Sequence, residues 1–429
     1  MSNAAIGREG NGARANPVTR EAPRIALYSH DALGLGHMRR NLAIAEVLGQ
    51  PESSPVLLVT GAREVSRFTM PRGIDCVALP AFRKGTDRRY RPRSLSIPYS
   101  DLLELRSQAI RAALDSFAPD VLIVDKVAFG LGAELKGALA SLRERGRTRF
   151  VLGLRDVLDE RVTALREWRH AATDAAIRDY YDAVWVYGDP RVYDPVIEYR
   201  LSGEVAAKVR YTGYLSRNSG LGPDGDTVRD RLALPPGELA LCLVGGGEDG
   251  GDVARAFARA ELPDGMNGVI VAGPFMPPQA LSELISLTAD RERMRLLGFI
   301  EDPSALMVAA DRVVAMGGYN TICELLSLEK RALIVPRVKT RREQLVRAER
   351  FAELGLLDVL RPDDLGPASV GAWLHAEISP PERVSKRVDL NGLERLPDLL
   401  DEVLGSSKPS NGRPSRARRP VAVNGDRSP

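Results

Sequence analysis

The apolar residues of this chain fall into short continuous runs, and each run is followed by a stretch with helical spacing. Runs such as 25–29, 121–124 and 239–244 contain almost no polar residue, which is typical of strands buried on both faces of a parallel sheet. Behind them, apolar residues recur every three or four positions, as in one face of a helix. This alternation predicts doubly wound α/β domains.

The alternation occurs in two series, separated by a segment rich in Gly, Ser, Pro and Asp. We therefore expect two Rossmann-like domains, the second closed by a last helix that crosses back onto the first. One long helix is expected over 158–183. The predicted boundaries are 1–22 for a disordered tail, 23–215 for the first domain, 216–226 for the linker, 227–388 for the second domain, 389–405 for the closing helix and 406–429 for a basic disordered tail.

Glycine-rich turns join strands to helices at three places. In the second series, the strand 313–316 runs through Gly317 and Gly318 into a helix that starts near Asn320. The N–H groups of a first helical turn have no partner within the helix and attract anions, and glycine lets a phosphate approach the backbone closely. If the helix starts near Asn320, Glu324 lies one turn further along and could accept hydrogen bonds from two ribose hydroxyls.

A second such turn, 245–251, follows the strand 239–244. This turn is again suited to a diphosphate, but its acidic residues would repel a phosphate. They could instead cap the following helix and complement its dipole. They are Glu248, Asp249 and Asp252.

The third turn, Gly34-Leu35-Gly36-His37, lies in the first series. It is not a dinucleotide fingerprint, because Arg39 stands where the third glycine of G-x-G-x-x-G belongs. In addition, the strand 56–60 ends without an acid that could bind an adenosine ribose.

The segment 309–345 resembles the donor site of GT-B glycosyltransferases, particularly the MurG-type N-acetylglucosaminyltransferases. The resemblance extends over about 24–405 and implies an α/β GT-B fold, in which two Rossmann-like domains face an interdomain cleft. It implies that Glu324 holds the ribose of a nucleotide-sugar, that the loop 339–344 contacts the sugar and that the backbone after the strand at 294–297 holds the base. The implied donor-binding residues are Gly34, Gly36, Gly246, Gly247, Phe299, Ile300, Gly317, Gly318, Asn320, Thr321, Glu324, Glu343 and Gln344.

Two residues of the first domain are candidates for catalysis. His37 follows the glycine turn, and Asp125 ends the strand 121–124 at the edge of the sheet where ligands bind. Asp125 could orient His37, which would then act as the general base. Alternatives remain open: His37 could donate to the departing diphosphate or cap its own helix, and Asp125 could form an ion pair with Lys126 or cap a helix.

Arg155 ends another strand and is either an anion contact or part of a structural salt bridge. The basic loop 83–93 could hold an acceptor phosphate or a lipid headgroup, or could be an ordinary solvated loop. The acceptor-binding candidates are Arg155, Arg83 and Lys84.

Composition excludes several classes of function. The formal net charge of the chain is +3. The tail 406–429 alone has a net charge of +5, so the rest of the chain is slightly acidic. A basic face interleaved with aromatic residues is missing, which argues against nucleic-acid binding. The three cysteines lie far apart, which predicts neither a disulfide framework nor a metal site and fits the cytoplasm. We expect no cofactor, no secretory signal and no transmembrane helix, and leave open a peripheral contact with the inner face of a membrane.

The sequence thus predicts an inverting, metal-independent transferase that moves a sugar from a nucleotide-sugar, with UDP-sugar as the expected donor, to an acceptor hydroxyl. The acceptor could be a small molecule, a glycan or a lipid-linked substrate. Alternatives are a nucleotide-sugar hydrolase and a non-catalytic nucleotide-sugar-binding protein. A non-hydrolysing sugar-nucleotide epimerase would share the fold, but the paired acids that it needs are not evident.

Overall fold

A computed structural model describes the residues 22–30, 36–49, 54–84, 89–217, 225–246, 249–300, 302–339, 341–377 and 384–405. Several expectations fall outside these ranges. They concern the tails 1–21 and 406–429, most of the linker (218–224), Gly34, Gly247 and Glu248. Of Lys84, only the backbone is described.

The first domain is built on a seven-stranded parallel sheet. Its strand order is β3-β2-β1-β6-β7-β8-β9. The strands β1, β6 and β8 are buried along their whole length, as the continuous apolar runs require. The strands of this sheet are β1 (Ile25–Ser29), β2 (Val56–Thr60), β3 (Ile74–Ala78), β6 (Val121–Asp125), β7 (Arg149–Arg155), β8 (Ala183–Tyr187) and β9 (Val209–Tyr211), and a separate antiparallel hairpin is formed by β4 (Phe82–Lys84) and β5 (Tyr90–Pro92).

A six-stranded parallel sheet forms the second domain. Its strand order is β12-β11-β10-β13-β14-β15. The central strands β10 and β11 are fully buried. The strands are β10 (Leu239–Leu243), β11 (Asn267–Val271), β12 (Met294–Leu297), β13 (Arg312–Ala315), β14 (Arg331–Ile334) and β15 (Asp358–Val359). The expected α/β fold with two doubly wound halves is confirmed.

Helices connect the parallel strands in both domains. In the first they are α1 (Gly36–Leu48), α2 (Tyr99–Phe117), α3 (Lys136–Glu144), α4 (Arg161–His170), α5 (Thr173–Tyr180), α6 (Pro195–Glu198) and α7 (Gly203–Ala207). From there on they are α8 (Gly225–Arg231), α9 (Gly251–Arg259), α10 (Pro278–Thr288), α11 (Ser304–Ala309), α12 (Tyr319–Ser327), α13 (Glu343–Glu353), α14 (Pro367–His375) and α15 (Gly392–Val403).

The long helix expected over 158–183 was wrong. Two helices, α4 and α5, occupy this stretch, because Ala172 takes a left-handed backbone conformation with φ of 48° and interrupts the helical hydrogen bonds. The closing helix behaves as expected: α15 packs against α1, and Glu402 forms an ion pair with Arg210 at 2.8 Å.

Each sheet has one point where the winding direction reverses. In the first sheet the chain moves outward from β1 to β3 and then returns to place β6 on the other side of β1. In the second sheet the same reversal occurs between β10 and β13. Ligands of open α/β sheets bind beyond the carboxyl ends of the strands at such points. His37, Asp125 and the turns after β10 and β13 all lie there.

Candidate functional site

A buried arginine joins the two catalytic candidates of the first domain. Nδ1 of His37 lies 2.8 Å from Oδ2 of Asp125, and Arg40 donates to Oδ1 of the same carboxylate at 2.7 Å. Asp125 and Arg40 are almost fully buried, whereas the His37 side chain is 15% exposed. His37 therefore binds across to β6 and Asp125 pairs with Arg40, so the proposed Asp125–Lys126 ion pair does not form.

The charge of Arg40 controls the protonation of this group. Burial raises the pKa of the Asp125 carboxyl, but Arg40 and His37 outweigh burial and hold that pKa well below its usual range. In the tautomer with Nδ1 protonated, His37 donates to the ionised Asp125, and Nε2 is then the acceptor nitrogen of a neutral ring; Nη2 of Arg40 also lies 2.9 Å from Nδ1. The Arg40 guanidinium also lies 5.6 Å from the ring centroids of Tyr187 and Tyr319, one from each domain.

The glycine turn after β13 leads into α12, as expected. The helix begins at Tyr319 with Gly318 as its N-cap. A Cβ atom on Gly317 would lie 3.2 Å from the backbone oxygen of Gln344, so a side chain there would press against the start of α13. The open amino end of α12 thus faces the cleft between the sheets.

In the turn after β10, the acidic residues have other partners than expected. The N-cap of α9 is Gly250, which has no side chain with which to cap the helix. Asp249 instead pairs with Arg337 at 3.1 Å, and Asp252 pairs with Arg255 one turn along the helix. Neither acid caps the helix through a side-chain hydrogen bond, but Asp252 lies in the first turn of α9, where its charge complements the helix dipole as expected. Gly246 belongs to the same turn, and its carbonyl oxygen accepts a hydrogen bond from the backbone N–H of Phe275 at 2.8 Å.

Glu324 lies on α12, partly buried, one turn after the glycines. Burial raises its pKa to about 7, against the opposing charges of Arg39 from the first domain and Arg217 from the linker. No hydrogen bond or ion pair ties its carboxylate to a residue in the described ranges. It is therefore a carboxylate whose acceptor oxygens are available to a ligand. Thr321 stands between the turn and this residue and is partly buried.

Phe299 and Ile300 lie beyond β12, partly buried against the apolar core. The backbone oxygen of Ile300 accepts a hydrogen bond from Arg39 of the first domain at 3.1 Å. A backbone acceptor expected to face a nucleotide base is thus engaged by an arginine that crosses the cleft.

Glu343, the first residue of α13, does not have the exposed position that a contact with the sugar would require. This side chain is 2% exposed and pairs with Arg337 at 2.9 Å. Burial raises the pKa of Glu343, but Arg155, Arg337 and Lys126 together lower it to about 2. Glu343 is therefore placed as a buried counter-ion of the cleft arginines. The Gln344 amide oxygen accepts from the backbone N–H of Arg337 at 2.9 Å.

The acceptor candidates are separated in space. Arg155 lies at the end of β7, and its Nε atom is buried without a hydrogen-bond partner among the described residues, so the salt-bridge alternative is not realised. Arg83 is exposed in the hairpin and pairs in register with Arg91. Just beyond the hairpin, Arg93 reaches the second domain, with its guanidinium 5.8 Å from the ring centroid of Phe275.

Two contacts join the domains directly at the site. The Asn320 side-chain amide donates to the backbone oxygen of Gly36 at 3.1 Å, so the amino ends of α1 and α12 meet. Arg347 of α13 forms a buried ion pair with Asp156 at 2.7 Å and also donates to the carbonyl oxygen of Gly317 at 3.3 Å. A hydrogen bond and a buried ion pair therefore link the two domains beside the amino ends of α1 and α12.

Sequence reasoning missed Arg40, Asp156 and Arg347. Arg40 could have been found, because it follows His37 by three positions and so shares its helix face. The partners Asp156 and Arg347 lie 191 residues apart in the sequence, and no local pattern around either residue indicates its partner.

No helix in the described parts of the chain combines the length and the apolar content that crossing a bilayer requires.

Residues 270–403 match the Glycosyltransferase family 28 C-terminal domain. This range contains α12, Glu324 and Gln344, and it ends with α15.

Two curated relatives carry the same name, UDP-N-acetylglucosamine--N-acetylmuramyl-(pentapeptide) pyrophosphoryl-undecaprenol N-acetylglucosamine transferase. The protein from Geobacillus kaustophilus is 35% identical over 94 residues, which span 21% of this chain but only 26% of that relative. The protein from Leuconostoc mesenteroides is 23% identical over 316 residues, or 70% of this chain and 76% of that relative. Among solved structures, Acinetobacter baumannii MurG superposes with a TM-score of 0.54 at 15% identity, over 89% of this chain and 99% of that one.

Proposed function

We propose that this chain, which is similar to MurG-type transferases in sequence and to GT-B glycosyltransferases in fold, moves a sugar from a nucleotide-sugar to an acceptor hydroxyl. We propose a UDP-sugar as donor, inversion at the anomeric carbon, and transfer without a bound metal ion.

One observation carries this proposal: the points where the winding direction of the two sheets reverses face each other across one cleft. The Asn320–Gly36 hydrogen bond of 3.1 Å joins the amino end of α12 to the residue before His37. A diphosphate at that end of α12 would bring the attached sugar to the general-base candidate. Transfer needs donor and acceptor held together in such a geometry.

The second domain supplies the groups for donor binding. The N–H groups at the start of α12 offset the negative charge that develops on the departing diphosphate. Glu324 accepts hydrogen bonds from the two ribose hydroxyls, and the backbone near Phe299 and Ile300 lies against the base.

The chemical step uses His37 and Asp125. Nε2 of His37 takes the proton of the acceptor hydroxyl as its oxygen attacks the anomeric carbon from the face opposite the leaving group. The bond from that carbon to the phosphate oxygen breaks, and the nucleoside diphosphate leaves with the bonding electrons. Asp125 stabilises the imidazolium that forms on His37.

Glu324 provides the test of donor binding. Replacing it with glutamine is expected to weaken UDP binding roughly 10- to 100-fold, since a hydrogen bond to a charged group is worth roughly 1.5–3 kcal/mol. Titration calorimetry with UDP measures this, and exposed Glu292, changed to glutamine, is the matched control. Equal affinity in the Glu324→Gln variant and the wild type would contradict the assigned role.

The raised pKa of Glu324 also predicts how affinity changes with pH. At pH 5.5 the unliganded carboxyl is mostly protonated and must lose its proton to bind the ribose, so UDP affinity is expected to be roughly 30-fold lower than at pH 8. The Glu324→Gln variant should show no such change between the two pH values. A pH response of equal size in the variant would assign it to another group.

The same pKa gives a prediction for stability. Because the folded pKa of Glu324, about 7, lies above the ordinary value of 4.5, its contribution to stability is fully present below pH 4.5 and is lost as pH rises through 7. At pH 8 the Glu324→Gln variant is therefore expected to melt at a higher temperature than the wild type, and at pH 4.5 at nearly the same one. Thermal unfolding followed by circular dichroism checks this, and a lower melting temperature at pH 8 would refute it.

Assays of turnover separate the reaction types. The relatives' names describe a pyrophosphoryl-undecaprenol acceptor, so lipid-linked sugars should lead the acceptor panel. Sugar transfer that requires an acceptor supports the proposal. Rapid sugar release without an acceptor would instead make the protein a nucleotide-sugar hydrolase.

A further inference from the structure

We propose that Lys126 and Arg155 form an anion-binding subsite, which holds a carboxylate or phosphate group of a substrate beside His37 and Asp125. The subsite deepens the function proposed above, because it specifies that one of the two reactants carries an oxyanion near the reacting centre.

The register of the first sheet brings the two cations together. Lys126 follows Asp125 directly, and its backbone N–H donates to the carbonyl oxygen of Gly153 on the neighbouring strand β7 at 2.7 Å. Arg155 is the last residue of that strand. Both side chains therefore leave the sheet at adjacent carboxyl ends, where substrates of this fold bind.

Neither cation has a partner of its own. Neither Lys126 nor Arg155 forms an ion pair or side-chain hydrogen bond with any residue in the described ranges, and the Nε atom of Arg155 is buried. Burial together with the charges of Arg155 and Arg341 holds the pKa of Lys126 well below its usual value. Two like charges without hydrogen bonds in a partly buried place are unfavourable unless an anion joins them.

The acids nearby are already committed to other arginines. Asp156 pairs with Arg347, and Asp159 and Glu167 both pair with Arg341. Glu343 acts on both cations, but it is shared with Arg337. Glu167 also acts on Lys126 and Asp125 on Arg155, yet these two acids pair with Arg341 and Arg40. No acid in the described ranges is therefore committed to Lys126 or Arg155 alone, and a ligand anion could neutralise them.

Two further details match a sugar-like ligand. The Oε2 atom of Glu343 is buried without a hydrogen-bond partner among the described residues, so a hydroxyl beside the anion could donate to it. Lys126 is held with φ of 70°, a left-handed conformation that lysine adopts rarely. Such strained residues concentrate at ligand sites, since the surrounding structure holds them in place.

The test compares ligands that differ in one anionic group. Titration calorimetry measures the affinities of UDP-glucose and UDP-glucuronate, and thermal shift with saturating UDP measures the effect of inorganic phosphate. The variants are Lys126→Asn, since asparagine accepts a left-handed backbone, and Arg155→Met. Exposed Arg169→Met, on α4, is the control of equal charge change.

Two results would support the subsite and name its source. If the donor sugar carries the anion, UDP-glucuronate binds at least tenfold more tightly than UDP-glucose, and both variants abolish that preference. If the acceptor carries it, the two donors bind equally. Phosphate then raises the melting temperature of the UDP complex in the wild type and the control, but in neither variant.

Other results would overturn it. If the wild type shows no anion effect, or if the effect survives both substitutions, the subsite does not exist. The proposed function still stands in that case, provided that UDP binds. Failure of UDP to bind counts against the proposed function instead, and phosphate added to the unliganded protein then still tests Lys126 and Arg155.

Discussion

Replacing His37 with alanine is expected to lower the rate of sugar transfer by about 10²- to 10⁴-fold, the usual contribution of a general base. His37 is placed for this role by Asp125, at 2.8 Å from its Nδ1 atom, while Arg40 keeps that carboxylate ionised. Because the imidazole acts on the acceptor hydroxyl and not on the nucleotide in the proposed mechanism, UDP affinity should change by less than about threefold. Steady-state transfer rates and calorimetry separate the two effects.

A matched control is available on the same domain. His170 is exposed at the end of α4, and changing it to alanine should leave transfer unaltered. Full activity in the His37→Ala variant would remove the general base from the proposed mechanism. An equal fall in UDP affinity and in rate would instead assign His37 to donor binding.

Breaking the ion pair between Asp156 and Arg347 is expected to have the largest effect on stability. Both side chains are about 1% exposed, and Asp156 also accepts a hydrogen bond from the hydroxyl of Tyr214 at 3.0 Å. Asp156→Ala would leave the Arg347 guanidinium buried without a counter-ion, which typically costs about 3–5 kcal/mol of unfolding free energy. Equilibrium urea unfolding measures this loss.

Two comparisons make the result specific. Glu198→Ala removes the partner of Arg350 from an exposed interdomain pair at 3.3 Å, so it should cost less than about 1 kcal/mol. The double variant Asp156→Leu with Arg347→Met removes both charges and should recover most of the lost stability. A loss for Asp156→Ala as small as that for Glu198→Ala would show that Arg347 is not left uncompensated.

The double variant should nevertheless bind UDP less well than the wild type. Arg347 donates to the carbonyl oxygen of Gly317 in the turn that leads into α12, and so ties the donor turn to the first domain. Stability and donor affinity would therefore separate in this variant, which distinguishes a packing role from a positioning role.

In the segment that resembles a donor site, the structure agrees with the sequence prediction where that prediction came from a local pattern. Glycines between an apolar strand and a helical repeat predicted the turn at Gly317 and Gly318, and α12 starts within one residue of the expected position. Local patterns were misleading for charged residues. Glu343 stood next to Gln344 in a polar loop, yet it is buried as the counter-ion of Arg337.

The sequence by itself determined the alternation of strands and helices, the two domains and the glycine turns, because apolar periodicity and backbone freedom are properties of neighbouring residues. Only the tertiary structure decided which charges meet. Asp125 pairs with Arg40 rather than with Lys126, and Lys126 comes to lie beside Arg155, because the order of strands in the sheet sets these distances. A charged residue gives no local signal of its partner, so the ion pairs and the unpaired cations of the cleft appear only when the sheets are assembled.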